Sequence, residues 1–122
     1  MNSLEKQVLE VSHKFWNSME NADEKGMRLC AKEECQFVHI GITCDLDKEI
    51  EFYTKGIFKP TSITFHNQNV SIFNHTAIIL TDCDYALLLN GKETSHHFVV
   101  TEVFILEDVW KLVQFSFTAL VY

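Results

Sequence analysis

The chain has 122 residues, of which 47% are hydrophobic and 22% charged, with a single proline and four glycines. This length and composition predict one ordered globular domain over residues 1–122, large enough to bury a core without a metal or a disulfide. Ten lysines and arginines against seventeen aspartates and glutamates give a net charge of −7. That balance disfavours nucleic-acid binding, which depends on neutralising phosphates.

The sequence also predicts a cytoplasmic protein without membrane contact. Its first residues lack the basic and apolar regions of a signal peptide, and no window approaches the roughly 20 apolar residues of a membrane span. The four cysteines show neither a CxxC spacing nor the density of a secreted disulfide framework. We therefore expect reduced cysteines, which is typical of a cytosolic chain.

Three helices are predicted in the first half of the chain. The first has the apolar spacing of an amphipathic helix, with a stripe formed by Leu4, Val8, Val11, Phe15 and Met19. Asp23 is a good N-cap for a shorter second helix. A short strand is predicted over residues 36–40. Asp45 or Asp47 then caps a third helix, which Gly56 is placed to end.

Long strands are predicted after Pro60. They cover residues 63–73 and 77–89, and a hairpin over residues 96–117 follows with a two-residue turn at 107 and 108. Helices first and antiparallel strands afterwards predict an α+β fold with the helices on one face of the sheet.

The charged residues of the strands predict which face is covered by the helices. Asp82 and Asp84 occupy even positions of one strand and Glu102 an even position of the next. Since a buried carboxylate is costly, the odd positions of both strands should face the helices. A two-residue turn at Asn90-Gly91 would instead pair odd with even positions. We therefore expect a three-residue loop or a bulge there.

A family resemblance is carried by several short segments, which in order are Phe15-Trp16 with Met19, Asn21-Ala22-Asp23, Phe37-Val38-His39-Ile40-Gly41, Thr76-Ala77 and Trp110-Lys111-Leu112-Val113-Gln114. Their order and spacing resemble the nuclear transport factor 2-like superfamily, and within it the SnoaL-like branch, over residues 4–118. The resemblance implies a cone-like curved antiparallel sheet packed on three helices, with a pocket between them. It does not imply one activity, because this superfamily includes isomerases, dehydratases, epoxide hydrolases, cyclases and non-catalytic assembly domains.

The resemblance further implies a homodimer through the outer sheet face. Under the face assignment above, the residues of that interface are Phe98, Val100, Val113, Phe115 and Phe117. A monomer would expose an apolar patch larger than the roughly 300–600 Å² usual for monomers. The alternative is that a chain terminus or a loop covers this face.

Known activities of the superfamily find little support in the matching positions. Against ketosteroid isomerase-like members, Phe15 stands at the catalytic tyrosine, Val38 or His39 at the carboxylate base, and Thr101 near the second carboxyl donor. Against the association domain of calcium/calmodulin-dependent kinase, Cys83 and Thr101 stand where arginines would be expected. Neither the isomerase mechanism nor an arginine cluster for an anionic ligand is supported.

The predicted pocket has apolar walls and a few polar groups, which is typical of a small-molecule site. Its predicted lining residues are Trp16, Met19, His39, Tyr53, Cys83, His97, Thr101, Gln114 and Ser116. His39 is the best candidate for an acid or base because imidazole titrates near neutrality. We expect no cofactor and no metal, since the adjacent His96 and His97 point to opposite faces of a strand.

Three functional hypotheses follow. The first is a dimeric SnoaL-like domain that binds a small, mostly apolar molecule without turnover. The second is an enzyme of the lyase, isomerase or hydrolase type that acts on such a molecule with His39 as base. The third is a non-catalytic assembly module, whose pocket would be filled by Trp16 and Tyr53.

Overall fold

The computed structural model describes residues 2–121, so Met1 and Tyr122, at the ends of the predicted domain, lie outside the described residues. The elements are α1 (Ser3–Glu20), α2 (Glu24–Cys30), β1 (Ala31–His39), β2 (Ile42–Cys44), α3 (Leu46–Thr54), β3 (Phe58–Phe73), β4 (Thr76–Leu89), β5 (Lys92–Leu106) and β6 (Trp110–Ala119). The predicted α+β fold is confirmed. The sequence reading missed the short strand β2.

Local side-chain interactions explain where the helices begin and end. The Asn2 side chain accepts a hydrogen bond from the Glu5 amide, and the Glu5 side chain accepts one from the Asn2 amide, which forms a capping box at α1. Asp23 caps α2 and Asp45 caps α3 through their side chains. Gly56 follows α3 with a φ of 70°, a left-handed conformation that commonly ends a helix.

The sheet has six strands in the order β2-β1-β6-β5-β4-β3. All neighbouring strands are antiparallel except β1 and β6, which are parallel. The pairing of β3 with β4 shifts register between Pro60 and Ser62 and again between Phe65 and Asn67. Such irregularities bend a strand, and the curved sheet packs on the helices. Within residues 2–121, no helix combines the length and apolarity that crossing a membrane requires.

The predicted faces are correct for β4 and reversed for β5. In β4 the buried positions are the odd ones, Ala77, Ile79, Thr81, Cys83 and Tyr85. In β5 they are the even ones, Phe98, Val100, Glu102 and Phe104. Leu89 pairs with Lys92 across a two-residue turn in an unshifted ladder. The predicted longer loop or bulge at Asn90-Gly91 is therefore wrong.

The reversal has a physical cause in Glu102, whose side chain is completely buried. Its carboxylate accepts hydrogen bonds from Ser12 Oγ at 2.6 Å, from Trp16 Nε1 at 2.8 Å and from the Thr81 hydroxyl. These three donors offset the cost of removing the carboxylate from water. The prediction that Glu102 faces solvent assumed that a buried carboxylate has no hydrogen-bond donors. It is wrong because α1 and β4 supply such donors.

The register of the β5–β6 hairpin also differs from the prediction. A two-residue turn at 107 and 108 would pair Thr101 with Gln114, whereas in the structure Thr101 pairs with Ser116. The turn between the strands contains three residues, 107–109, and a register shift opposite Val113 adds one more. Together the longer turn and the register shift place each residue from Lys92 to Val103 that pairs with β6 opposite a residue two positions later than a two-residue turn would give.

The predicted dimer interface is corrected by the same finding. Phe98, Val100, Phe115 and Phe117 are buried on the helix side of the sheet, and Trp16 packs on two of them, with ring centroids 5.1 Å from Phe115 and 6.3 Å from Phe117. These four residues are core rather than outer surface. Among the five predicted positions, only Val113 keeps partial exposure.

Candidate functional site

A cavity of about 430 Å³ lies between α3, the β1–β2 turn and the helix-facing side of the sheet. Its walls are mainly aromatic and aliphatic, and include Phe52, Ile57, Phe58, Leu87, Phe98 and Phe117. Polar side chains at the same cavity include His39, Tyr53, Tyr85 and Thr94. The volume lies within the range of small-molecule pockets. Mostly apolar walls with a few polar groups are also typical of such pockets.

His39, which lines the cavity, is paired with a buried carboxylate. His39 Nε2 lies 2.7 Å from Oε1 of Glu49, a residue of α3 that is completely buried. The His39 ring stacks on Phe117, with ring centroids 4.9 Å apart, and lies 5.0 Å from the ring of Phe58. The imidazole is therefore held both by the carboxylate and by the aromatic walls.

Cys44 joins this pair. Its Sγ donates a hydrogen bond to Glu49 Oε1 at 3.4 Å. Burial and the neighbouring Glu49 carboxylate raise the pKa of the Cys44 thiol to about 12, so it is present as a protonated donor. The other carboxylate oxygen, Glu49 Oε2, is buried and has no hydrogen-bond partner among residues 2–121.

Chain connectivity explains why these three side chains meet. His39 ends β1, a turn with Gly41 at a φ of 86° reverses the chain, and Cys44 ends β2. Asp45 then caps α3, which places Glu49 at the end of the first helical turn. Three side chains spaced five residues apart, those of His39, Cys44 and Glu49, are thus brought together by a strand, a turn and a helix. The regular spacing of these three residues is visible in the sequence. It predicts a contact only if the chain reverses at Gly41, which was not recognised from the sequence.

Two tyrosines form a second polar group at the cavity. The hydroxyls of Tyr53 and Tyr85 lie 2.8 Å apart, and both residues are buried. Burial raises the pKa of each hydroxyl well above its usual range, so both keep their protons. The bond between them uses one of two hydroxyl hydrogens. The other hydrogen can be donated to a bound molecule.

The predicted lining residues divide into three groups. His39 and Tyr53 do line the cavity. Trp16, Met19 and Cys83 are buried in the core, where burial raises the pKa of the Cys83 thiol to about 12. The remaining predicted residues lie on the other side of the sheet because of the reversed faces and shifted register of β5 and β6, and these are His97, Thr101, Gln114 and Ser116.

The sequence matches the model of one known protein family. The model of the SnoaL-like domain family matches residues 8–121. A search of curated proteins gave no significant match.

Solved structures share the fold. A nuclear transport factor 2-like protein from Cytophaga hutchinsonii superposes with a TM-score of 0.87 at 19% identity, covering 98% of this chain and 100% of the other. One of unknown function in nutrient uptake from Rhodospirillum rubrum gives 0.85 at 17% identity, covering 93% and 98%. The CaMKII hub of S. rosetta gives 0.81 at 17% identity, covering 98% and 99%. The solved structures share this fold, and the match of the family model over residues 8–121 establishes that the chain belongs to the SnoaL-like domain family.

Proposed function

We propose that this protein binds a small, mostly apolar molecule in the cavity between α3 and the sheet. The observation that carries the proposal is a cavity of about 430 Å³ with aromatic walls and only a few polar groups. Apolar walls favour burial of an apolar ligand, and convergent polar groups fix its orientation. His39 and the Tyr53–Tyr85 pair are the groups best placed to do so.

The cavity geometry favours ligand binding over a purely structural module. An assembly domain with a vestigial pocket was expected to fill that pocket with Trp16 and Tyr53. Trp16 instead donates its indole hydrogen to Glu102, away from the cavity. Tyr53 lies at the cavity wall and bonds to Tyr85.

The proposal is tested by filling the cavity. Leu87 lines it, so Leu87→Trp should reduce binding of the apolar dye 1-anilinonaphthalene-8-sulfonate, measured by its fluorescence, by about tenfold or more. Val109→Trp is the matched control because Val109 is 56% exposed, lies in the turn between β5 and β6 and does not line the cavity. Equal unfolding midpoints would show that the dye reports the pocket rather than a loosened core.

Two results would contradict the proposal. One is equal dye binding by both tryptophan variants. The other is a wild-type protein that binds no dye and that shows only the mass of the bare chain in native mass spectrometry.

The second candidate is turnover of the bound molecule by lyase, isomerase or hydrolase chemistry. The His39–Glu49 pair favours it, because a carboxylate that orients an imidazole is a common acid–base arrangement. Gln114, which was predicted to line the pocket with His39, lies on the opposite face of the sheet. We therefore rank binding first. Incubation of any recovered molecule with wild type, His39→Gln and Glu49→Gln should show product formation in wild type alone if this candidate holds.

We further propose self-association through the outer face of β4–β6. The supporting observations are that some structural neighbours are hub assemblies, such as the CaMKII hub, and that Leu80 is 41% exposed on this face. Apolar neighbours of Leu80 on the same face are Ile78, Val99 and Val103, all partly exposed. This interface replaces the residue set predicted from the sequence.

A further inference from the structure

Three side chains with different metal-binding atoms meet at His39, which lines the cavity. A ring nitrogen of His39, Cys44 Sγ and a carboxylate oxygen of Glu49 all lie within 4.8 Å of one another. They come from β1, β2 and α3, respectively. Each of these elements is held by backbone pairing or by a cap, so the three donors are positioned by rigid parts of the fold.

The hydrogen bonds within this group leave one atom unexplained. Both His39 and Cys44 approach the same oxygen, Glu49 Oε1. Oε2 of the same carboxylate is buried without a partner in the described part of the chain. A buried carboxylate is costly unless its charge is paired and its oxygens are bonded, so an ion that pairs the charge of Glu49 and reaches Oε2 as well as Oε1 would account for this atom.

We propose that His39, Cys44 and Glu49 bind a divalent transition-metal ion of the zinc type. Imidazole nitrogen, thiolate sulfur and carboxylate oxygen are the ligands that zinc takes in proteins, whereas magnesium and calcium prefer oxygen donors alone. Binding displaces the Cys44 thiol proton to solvent, and the proton in the hydrogen bond between His39 Nε2 and Glu49 Oε1 moves to Nδ1 of His39, which frees the Nε2 lone pair for the ion. The resulting thiolate and the Glu49 carboxylate then neutralise the two positive charges of the ion.

The Cys44–Glu49 separation is close to that of a tetrahedral site, whereas the His39–Glu49 separation is a hydrogen-bond distance that lengthens when an ion enters. Ligands about 2.0–2.3 Å from a zinc ion lie roughly 3.3–3.5 Å from one another at the tetrahedral angle. The observed separations are 2.7 Å from His39 Nε2 to Glu49 Oε1 and 3.4 Å from Cys44 Sγ to the same oxygen. Three protein ligands leave one coordination position open, which is typical of catalytic rather than structural zinc. His39 lines the cavity, so a molecule there could take that position.

This site concerns the same cavity but does not depend on its binding an apolar molecule. It does exclude the acid–base candidate for as long as metal is bound, because an imidazole that ligates through Nε2 carries its proton on Nδ1 and cannot accept another. A measurement of metal binding therefore distinguishes the role of His39 as a metal ligand from its role as a general base.

The test is titration of the full chain, freed of metal by a chelator, with Co²⁺ and then with Zn²⁺. We expect one Co²⁺ per chain with a thiolate-to-cobalt charge-transfer band that Zn²⁺ abolishes. Cys44→Ser should lose the band, and His39→Gln and Glu49→Gln should bind about tenfold or more weakly. Zn²⁺ should also raise the unfolding midpoint of wild type but not of Cys44→Ser.

The matched control removes the other cluster of possible ligands. His66, Asp84 and His97 approach one another on the outer face, so the double variant His66→Gln, His97→Gln should keep both the cobalt band and the zinc-dependent midpoint. Absence of a thiolate band in wild type, or its loss in this control, would overturn the proposed site. Neither result alters the dye titration with Leu87→Trp, so failure of the metal site and failure of ligand binding remain distinguishable.

Discussion

At the scale of single residues, the buried carboxylate of Glu102 joins the first helix to the middle of the sheet. Its three donors come from α1 and β4, and Gln68 extends the network by donating to Thr81 at 3.0 Å and to Ser12 at 3.3 Å. A satisfied polar network of this kind costs little while it is complete and much when one member is removed.

Glu102→Ala should therefore be strongly destabilising. The change leaves three buried donors without an acceptor and opens a small cavity, so we expect the free energy of unfolding to fall by roughly 3 kcal/mol. Urea denaturation measures this loss. Glu107→Ala is the control, because Glu107 is exposed and forms a surface ion pair with Lys32; a comparable loss in the control would contradict the assignment.

The same residue makes stability depend on pH. Burial raises the pKa of Glu102, although the Ser12, Thr81 and Trp16 donors and the nearby charge of His13 lower it. A carboxyl group with a raised folded pKa stabilises the fold fully below its unfolded pKa of about 4.3, and this contribution is lost as pH rises through the folded pKa. Burial raises the pKa of the neighbouring Cys83 thiol to about 12, so Cys83 keeps its proton in this range.

The measurement compares wild type with Glu102→Gln across this pH range. The free energy of unfolding of wild type minus that of the glutamine variant should decrease as pH rises above about 4.3, because only wild type has a group that ionises at this position. Contributions from the remaining carboxylates cancel in the difference. A difference that does not change with pH would contradict a raised pKa.

At the scale of elements, the packing of α2 on α1 depends on Gly26. A glycine inside a helix normally weakens that helix by roughly 1 kcal/mol relative to alanine. In the structure, a Cβ added there would lie 2.0 Å from Ser18 Oγ and 2.8 Å from Ser18 Cβ. The absence of a side chain is thus what allows the two helices to approach.

Gly26→Ala should destabilise the protein although alanine favours helix formation by about 1 kcal/mol over glycine. We expect a net loss of roughly 1–3 kcal/mol from overpacking, measured by thermal or urea unfolding. Lys25→Ala is the control because Lys25 is an exposed neighbour in the same helix. Combining Gly26→Ala with Ser18→Gly should recover part of the loss, and a stabilising single substitution would refute the close approach.

At the scale of the whole molecule, the outer face of β4–β6 is the surface proposed for self-association. Placing a charge on Leu80, which lies within this face, would bury an unpaired ammonium group in a dimer. Leu80→Lys should shift the protein from dimer to monomer in sedimentation velocity. Phe73→Lys is the control, since Phe73 is 61% exposed beside the β3–β4 turn.

Two outcomes would exclude this interface. A wild-type protein that sediments as a monomer at micromolar concentration would exclude self-association itself. A dimer that persists in Leu80→Lys but dissociates in Phe73→Lys would place the contact at the other end of the strands.

The sequence by itself determined the features that depend on neighbouring residues. Asp23 and Asp45 cap helices because a side-chain oxygen reaches amides three residues away. The long strands follow from runs of β-branched and aromatic residues. His39 was identified as the best acid–base candidate from its residue type alone, and it does line the cavity.

Only the tertiary structure decided which side of the last strands faces the helices. A strand alternates its side chains, so a shift of one residue exchanges the two faces, and a single buried Glu102 with partners from α1 and β4 reversed the assignment for β5. For the same reason the polar residues of β5 and β6 left the predicted pocket, while Glu49 and Cys44 joined His39 through the turn at Gly41. Contacts between distant segments have no local signal, because their energy exists only once the chain is folded.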